Sequence, residues 1–478
     1  MNKILIGAVA GVALAGTGAA AYGTLGGGGA QPEDVIPATA LAYVDVDLDP
    51  SAEQKLDALR FVRKFPKAPD EVKRDDVDFG EVLVKQAQKE GQLTNLNYET
   101  DIKPWLGKRF AVAVVPEGNE FVPLVALATT DADKAKAAVA KLDATKSYCN
   151  VGADYVVCGG KQATVDGAVK SAKDASLAKA KNFASDMDGV GNPGIATMWL
   201  DTEAAVRAGI AKAKVSASAS ALSAQLDDLA AKAKGRVAAA LRFDGTALEL
   251  AARSFDTAKV EGKNGDTGVS ELPAGTLAAF GLANGGETVS KSWAEATKQG
   301  GSEFTQMTEQ LQSQFGIRLP EDLSALLGSK FAVAFGGMDE ASGMPQVALV
   351  SNGDHARIQT LTSTLGNQLS SATSSSASSP LRVSGDSGRT IVALDDTYAA
   401  QVASGSGLGS SPAFSAAVPD AGKAQFVAFA DIAGMIAKFG STMDAETKAN
   451  VAPLAAVGMS ASTEESGGQR FLLRLTTK

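Results

Sequence analysis

Asp45, Asp47 and Asp49 stand in a D-x-D-x-D row, the spacing with which a calcium-binding loop opens. Such a loop places its carboxylates at alternate positions, then needs Gly at the sixth position and a bidentate Glu at the twelfth. Here those positions hold Pro50 and Leu56, so the helix-loop-helix calcium motif fails. The row stays a weak candidate for a non-standard calcium site, against a plainer reading as a solvated strand face that ends in a helix cap. Other chemistry has less to build on. His is the commonest general base and metal ligand near neutral pH, and the chain has a single one, His355, in Asn352-Gly353-Asp354-His355-Ala356, a loop that enters a helix. Without a His partner the abundant serines do not form a Ser-His-Asp triad; a Ser-Lys pair stays open. The glycine-rich stretches 189–194 and 405–410 lack the strand-loop-helix context of a phosphate cradle. No catalytic residue and no cofactor is expected.

The two cysteines are the other reactive pair. Cys149 and Cys158 flank a Gly152-Ala153-Asp154 turn between short β-like runs. If Ala153-Asp154 is a two-residue hairpin loop, Cys149 faces Cys158 directly. Opposed cross-strand positions bring the Cβ atoms within disulfide range, so a disulfide is expected in an oxidising compartment. Two unpaired, half-buried thiols are the alternative.

The elements that must carry these residues occur twice. Trp105-Leu106-Gly107-Lys108-Arg109-Phe110-Ala111-Val112-Ala113-Val114 returns as Leu326-Leu327-Gly328-Ser329-Lys330-Phe331-Ala332-Val333-Ala334-Phe335. Ile36 to Ala42 matches Leu272 to Ala278, Pro123 to Leu127 matches Pro345 to Leu349, and Gly194 to Asp201 matches Ala424 to Asp431, all in the same order. A repeat this long is a duplicated domain and not a solenoid unit. The acidic row has no counterpart, since copy two holds Gly281, Ala283 and Gly285 there.

Within copy one, Leu41 to Leu48 alternates as a half-buried strand, with Ala42, Val44, Val46 and Leu48 on the apolar side. Asp49-Pro50 reads as a helix start, and Leu56, Leu59, Val62 and Phe65 as the apolar stripe of that helix. Apolar strands at 110–115 and 122–128, the cysteine hairpin and a closing hairpin at 236–255 surround helical stretches. The expected class is α+β, two tandem diverged copies of a mainly antiparallel sheet with helices on one face. The domains are expected at 34–262 and 268–478. A Ser-rich insertion at 370–379 reads as a loop.

Residues 1–33 are a different kind of segment. Ile4 to Leu25 has no charged residue and follows Lys3; as a helix it would span about 33 Å, enough for a hydrocarbon core. It is read as a signal-anchor helix with the bulk of the chain extracytoplasmic. A cleaved signal peptide ending near Ala19-Ala20-Ala21, and hence a secreted protein, is the alternative. Gly26 to Gly29 is a flexible tether. The net charge of −9 excludes the concentrated basic face that nucleic acid requires; the basic residues from Arg60 to Arg74 are interleaved with Asp70 and Glu71 and followed by Asp75, Asp76 and Asp78.

The run from Pro37 through Tyr43-Val44-Asp45-Val46-Asp47-Leu48-Asp49-Pro50-Ser51, with the glycine-tailed apolar helix before it, resembles an uncharacterised family of actinobacterial N-terminally anchored envelope proteins, a domain of unknown function. Trp105-Leu106-Gly107 and Asp154-Tyr155-Val156-Val157 fit the same resemblance, which covers nearly the whole chain. It implies placement and carries no known site, and the cysteine pair is not a feature it leads one to expect. The function expected is a non-enzymatic binding or scaffolding module in the envelope, with an apolar or lipid ligand held in a groove between the two repeats. An envelope protein is a further candidate partner, and an enzyme of unrecognised type is the rival.

Overall fold

The run Phe110-Ala111-Val112-Ala113-Val114-Val115 is apolar at every position, which suits a strand covered on both sides and not one with a wet face. The computed structural model of the chain shows this arrangement. It describes residues 31–478 except 92, 119, 143–146, 193, 217–222, 258–261, 373–380 and 406. The apolar segment Ile4 to Leu25 lies outside the described residues, as does most of the Ser-rich insertion. Among the described residues no helix is long and apolar enough to cross a membrane. The chain divides into two compact units, one ending at Ala258 and the next beginning at Lys259.

The strands of unit 1 are β1 (Ala42–Asp47), β2 (Leu106–Glu117), β3 (Glu120–Thr129), β4 (Tyr148–Val151), β5 (Tyr155–Gly159), β6 (Ala196–Asp201), β7 (Arg236–Asp244) and β8 (Ala247–Phe255). They lie in the order β8-β7-β6-β1-β2-β3-β5-β4, antiparallel at every step. The helices include α1 (Ala52–Val62), α2 (Phe79–Lys89), α3 (Ala132–Val139), α4 (Gln162–Asp174), α5 (Phe183–Gly189), α6 (Thr202–Ser216) and α7 (Ser223–Lys232).

Helices cover both faces of this sheet, where the sequence pattern led us to expect one. Ala111, Ala113 and Val157 pack with Val165 and Ala168 of α4 and Phe183 and Met187 of α5. From the opposite face, Val156 packs with Val84 of α2 and Ala135 and Ala138 of α3. Both sets are buried, so alternation along a strand separates two covered faces instead of a dry one from a wet one.

Two local readings around β1 also change. Ser51, not Asp49, caps α1, its Oγ accepting from the Gln54 N–H at 3.3 Å. The stripe of α1 is turned: Ala58, Leu59, Phe61 and Val62 are buried while Leu56 is 53% exposed. Phe61 meets the Phe243 ring at 5.5 Å, and Gln54 donates to the Phe243 carbonyl at 2.7 Å.

Unit 2 has β9 (Ala278–Ala283), β10 (Lys330–Met338), β11 (Pro345–Ser351), β12 (Arg382–Asp386), β13 (Arg389–Ala393), β14 (Phe426–Asp431), β15 (Leu454–Thr463) and β16 (Gln469–Thr477). Its order, β16-β15-β14-β9-β10-β11-β13-β12, is that of unit 1 strand for strand. Register makes the match residue by residue: Phe110 lies opposite Val46 as Phe331 lies opposite Leu282. The helices that bear on the site are α8 (Gly285–Phe315), α9 (Glu321–Leu327), α10 (His355–Ala372), α11 (Asp396–Ser404) and α12 (Pro412–Ala417). The main core lies on the α11 and α12 face, around Tyr398, Val402 and Phe414.

Candidate functional site

The acidic row is buried rather than solvated. β1 and β2 are antiparallel neighbours with Asp47 opposite Arg109, so one guanidinium serves two carboxylates. Arg109 Nη1 lies 3.1 Å from Asp45 Oδ2 and Nη2 lies 3.5 Å from Asp47 Oδ2. The lead-in to β1 closes over them, where Tyr43 Oη donates to the buried Glu33 at 2.9 Å. Asp45 is 2% exposed, and its Oδ1 accepts no hydrogen bond. Burial pushes the Asp45 carboxyl up to about 7; Arg109 pulls it down, and Glu33 and Asp47 push it further up. Burial raises Asp47 as well. Asp49 goes the other way, lowered by hydrogen bonds from Lys108 and Lys55. Side-chain cations thus supply the counter-charges that a calcium ion would have supplied. Among the described residues no group of three His, Cys, Asp or Glu is placed to hold a metal.

An acid whose folded pKa is raised keeps its proton in the fold after the unfolded chain has released it. Unit 1 is therefore stabilised by Asp45 at acidic pH, and that contribution is lost as pH rises from about 4 to about 7. Asp45→Asn, which stays neutral throughout, flattens this fall. Denaturant melts of both proteins across that range, read by hydrogen exchange in unit 1 peptides, check it; parallel pH curves would count against the assignment.

In copy two, Gly281 and Ala283 replace the acids, and Lys330 stands at the Arg109 position, opposite Ala283. Lys330 Nζ instead reaches Asp266 at 2.5 Å and Glu271 at 2.6 Å, both in the lead-in to β9. A Cβ on Gly281 would stand 2.5 Å from Val269 Cγ2, so this lead-in lies too close for any side chain there. The cation is kept and its partners have moved.

Cys149 and Cys158 are register partners on β4 and β5 and are joined by a disulfide. The bridge spans a separation of nine residues. Removing it by Cys149→Ser with Cys158→Ser costs unit 1 about 2–3 kcal/mol at most, the loop-closure figure for so short a loop. Thermal melts of the double variant, with unit 2 peptides unaffected in hydrogen exchange, are the check.

The sulfurs also line a cavity of about 180 Å³. Its floor is the outer face of the sheet at Val125, Leu127 and Val156. Its roof is Leu83 and Val84 of α2 with Ala138 and Val139 of α3. Trp105 closes one end, its indole Nε1 donating to the Asp101 carbonyl at 2.6 Å.

Unit 2 holds the same cavity, enlarged to about 560 Å³. Val347, Leu349 and Val392 form its floor, on β11 and β13, the strands that match β3 and β5. Leu361 and Thr362 of α10 form the roof. Helices α3 and α10 start alike, Asp131 accepting from the Lys134 N–H and Asp354 from the Arg357 N–H, which matches Ala138 to Leu361. Leu381 and Leu394, beside β12 and β13, line it too. One end wall is Leu326 in place of Trp105.

One hydrogen bond of the wall turn recurs in both copies. Asp101 accepts from the Asn97 N–H at 2.8 Å, and Asp322 from the Arg318 N–H at 2.6 Å. Each carboxylate then binds a cation, Lys141 at 2.6 Å or Arg357 at 2.5 Å. The cavities were missed in the sequence, although Trp105 and Leu326 were aligned, because an alignment does not say which aligned side chains meet. His355 has no part in either cavity; its Nδ1 is 2.9 Å from Thr390 Oγ1.

Fold and site together define a duplicated α+β protein, with one eight-stranded antiparallel sheet and one apolar cavity in each unit. The chain belongs to a family described as protein of unknown function (DUF3352), whose model matches residues 4–151 and again 143–383. These two matches support the duplication, though their limits straddle the units. No curated protein and no solved structure matches the chain.

Proposed function

We propose that this protein is a binding module of the cell envelope, held to the membrane by its N-terminal segment with both units outside, and that its ligand is apolar, such as a lipid. The observation that carries this reading is the recurrence of the cavity: two units whose sequences have diverged keep an apolar hollow between the same strands and helices. Cavities in cores are costly, by roughly 24 cal/mol per Å³ in measured cases, so a retained hollow calls for an occupant. This reading puts the ligand inside the units, whereas the sequence suggested a groove between them. Three features favour the placement. The family match begins at residue 4, within the apolar segment; a glycine tether follows; and a disulfide suits an oxidising compartment. Native mass spectrometry of the full chain released from its membrane tests the reading. Lipid adducts that survive gentle activation are expected, and a bare protein would sink it.

One observation favours the enzymatic rival. A polar cavity of about 310 Å³ in unit 2 is lined by Ser460, Ser462, Lys423, Asp420, Glu464 and Arg470, among others. At the equivalent register of unit 1, Arg242 pairs with Glu249, where unit 2 sets Ser462 against Arg470. A Ser-Lys hydrolase there would label with a fluorophosphonate at Ser460 or Ser462; absence of label removes that chemistry.

A further inference from the structure

The two cavities differ in size, and Trp105 lines the smaller one where its aligned partner Leu326 lines the larger. We infer that the unit 2 cavity takes one acyl chain of a lipid with an anionic head, and that Trp105 has closed the equivalent site in unit 1. This inference rests on the apolar-ligand reading above.

Size is the first argument. About 560 Å³ falls within the 300–1,000 Å³ of ordinary ligand pockets. About 180 Å³ is close to the 150 Å³ engineered cavity that holds a single benzene. Lining is the second. The polar side chains in the unit 2 cavity are Asp322 and Thr362, and Asp322 is already engaged by both Arg357 nitrogens at 2.5 Å and by the Arg318 N–H. Apart from the Thr362 hydroxyl the lining offers a headgroup no further polar side chain, so the bound part is hydrocarbon.

Charge at the rim is the third argument. Arg318 sits between the lining residues Ile317 and Leu319. Its side chain is 55% exposed and lies 3.9 Å from Asp322, beyond hydrogen-bond distance. Arg382, next to the lining residue Leu381, is already paired with Asp396 at 3.6 Å. A carboxylate or phosphate on the end of a buried chain meets Arg318 there.

Copy one itself supplies the blocking residue. Leu326→Trp puts an indole at the position that Trp105 holds in copy one. The added ring displaces about two methylenes of ligand, enough to weaken binding by about tenfold. The full chain, kept soluble in an amphipol, is titrated with parinaric acid, its methyl ester, and a phosphatidylglycerol carrying a parinaroyl chain.

Wild type is expected to saturate at one probe per chain, Leu326→Trp to weaken it about tenfold, and Leu326→Met to match wild type. Arg318→Gln should weaken the acid but not the ester; equal effects on both would overturn the anionic head. Binding of the acid alone assigns a free fatty acid, and binding of the phospholipid as well assigns a lipid headgroup. If Leu326→Trp binds like wild type while Trp105→Leu changes the affinity, the site is in unit 1 and this inference falls, though the apolar-ligand reading stands. If wild type takes no probe and carries no lipid, both fall. Should Leu326→Trp lose its native circular dichroism, Thr362→Leu, which fills the cavity from the roof, decides in its place.

Discussion

Arg109→Ala is expected to destabilise unit 1 by about 3–5 kcal/mol at pH 8, the range for leaving a buried charge without its partner. The argument is geometric. Asp45 and Asp47 are 2% and 6% exposed, both point at the one guanidinium, and Asp45 Oδ1 has no other donor. Without Arg109 the fold must either bury an unpaired anion or take up a proton, and protonation becomes harder as pH rises. The loss therefore shrinks toward pH 5, where Asp45 already holds its proton. Arg109→Lys, the residue copy two uses at this place, is the mild control. Adding Asp45→Asn to Arg109→Ala should recover part of the loss, a coupling that a double-mutant cycle measures. Equal losses at pH 5 and pH 8 would mean that Arg109 acts through packing of its stem and not through charge.

The duplication was legible because its markers are backbone events. Trp105-Leu106-Gly107 and Leu326-Leu327-Gly328 each bring the chain into a central strand, and copies related by a common fold keep such junctions. Burial of Asp45 was not legible. Alternation along β1 correctly separated Tyr43, Asp45 and Asp47 from Val44 and Val46, but it could not say what covers each side. On that side of β1, Tyr43 packs on Phe183, far away in sequence, and Glu33 bears on Asp45 from the lead-in. The counter-charge comes from a strand that begins more than fifty residues later. The same gap turned α1, whose burial is set by Phe243 on β7 and not by its own apolar spacing. Cysteine pairing needed only a two-residue turn, so its geometry could be written down from sequence. A cavity is the hardest feature to read, being a difference in volume between side chains from several elements. Trp105 against Leu326 contributes one part of that difference here, and the aligned sequences show the pair without showing that both line a cavity.

Asp322→Ala is expected to cost unit 2 about 3 kcal/mol or somewhat more, and Asp101→Ala is expected to cost unit 1 clearly less, although both residues accept from the N–H four residues earlier. Each closes a turn in this way. The difference lies in the cation. Arg357 holds Asp322 with two hydrogen bonds, and the side chains are 22% and 2% exposed. Removing the acid strands a half-buried guanidinium, which is the costly way to break an ion pair. Lys141 is 53% exposed and returns to water when Asp101 goes, so little is lost beyond the exposed pair and the turn bond. The Arg357 guanidinium also holds Asp322 below the usual carboxylate range. A lowered pKa contributes stability above the unfolded value, and that contribution is lost as pH falls through the folded one. Unit 2 should thus weaken on acidification at this site, while Asp45 makes unit 1 weaken as pH rises. Hydrogen exchange at pH 4 and pH 7, read separately in peptides of each unit, distinguishes the two. Leu323 and Leu326 hang from the same turn and wall the larger cavity, so Asp322→Ala should also release a bound acyl chain faster. Loss of stability without any change in probe release would place the ligand away from that wall.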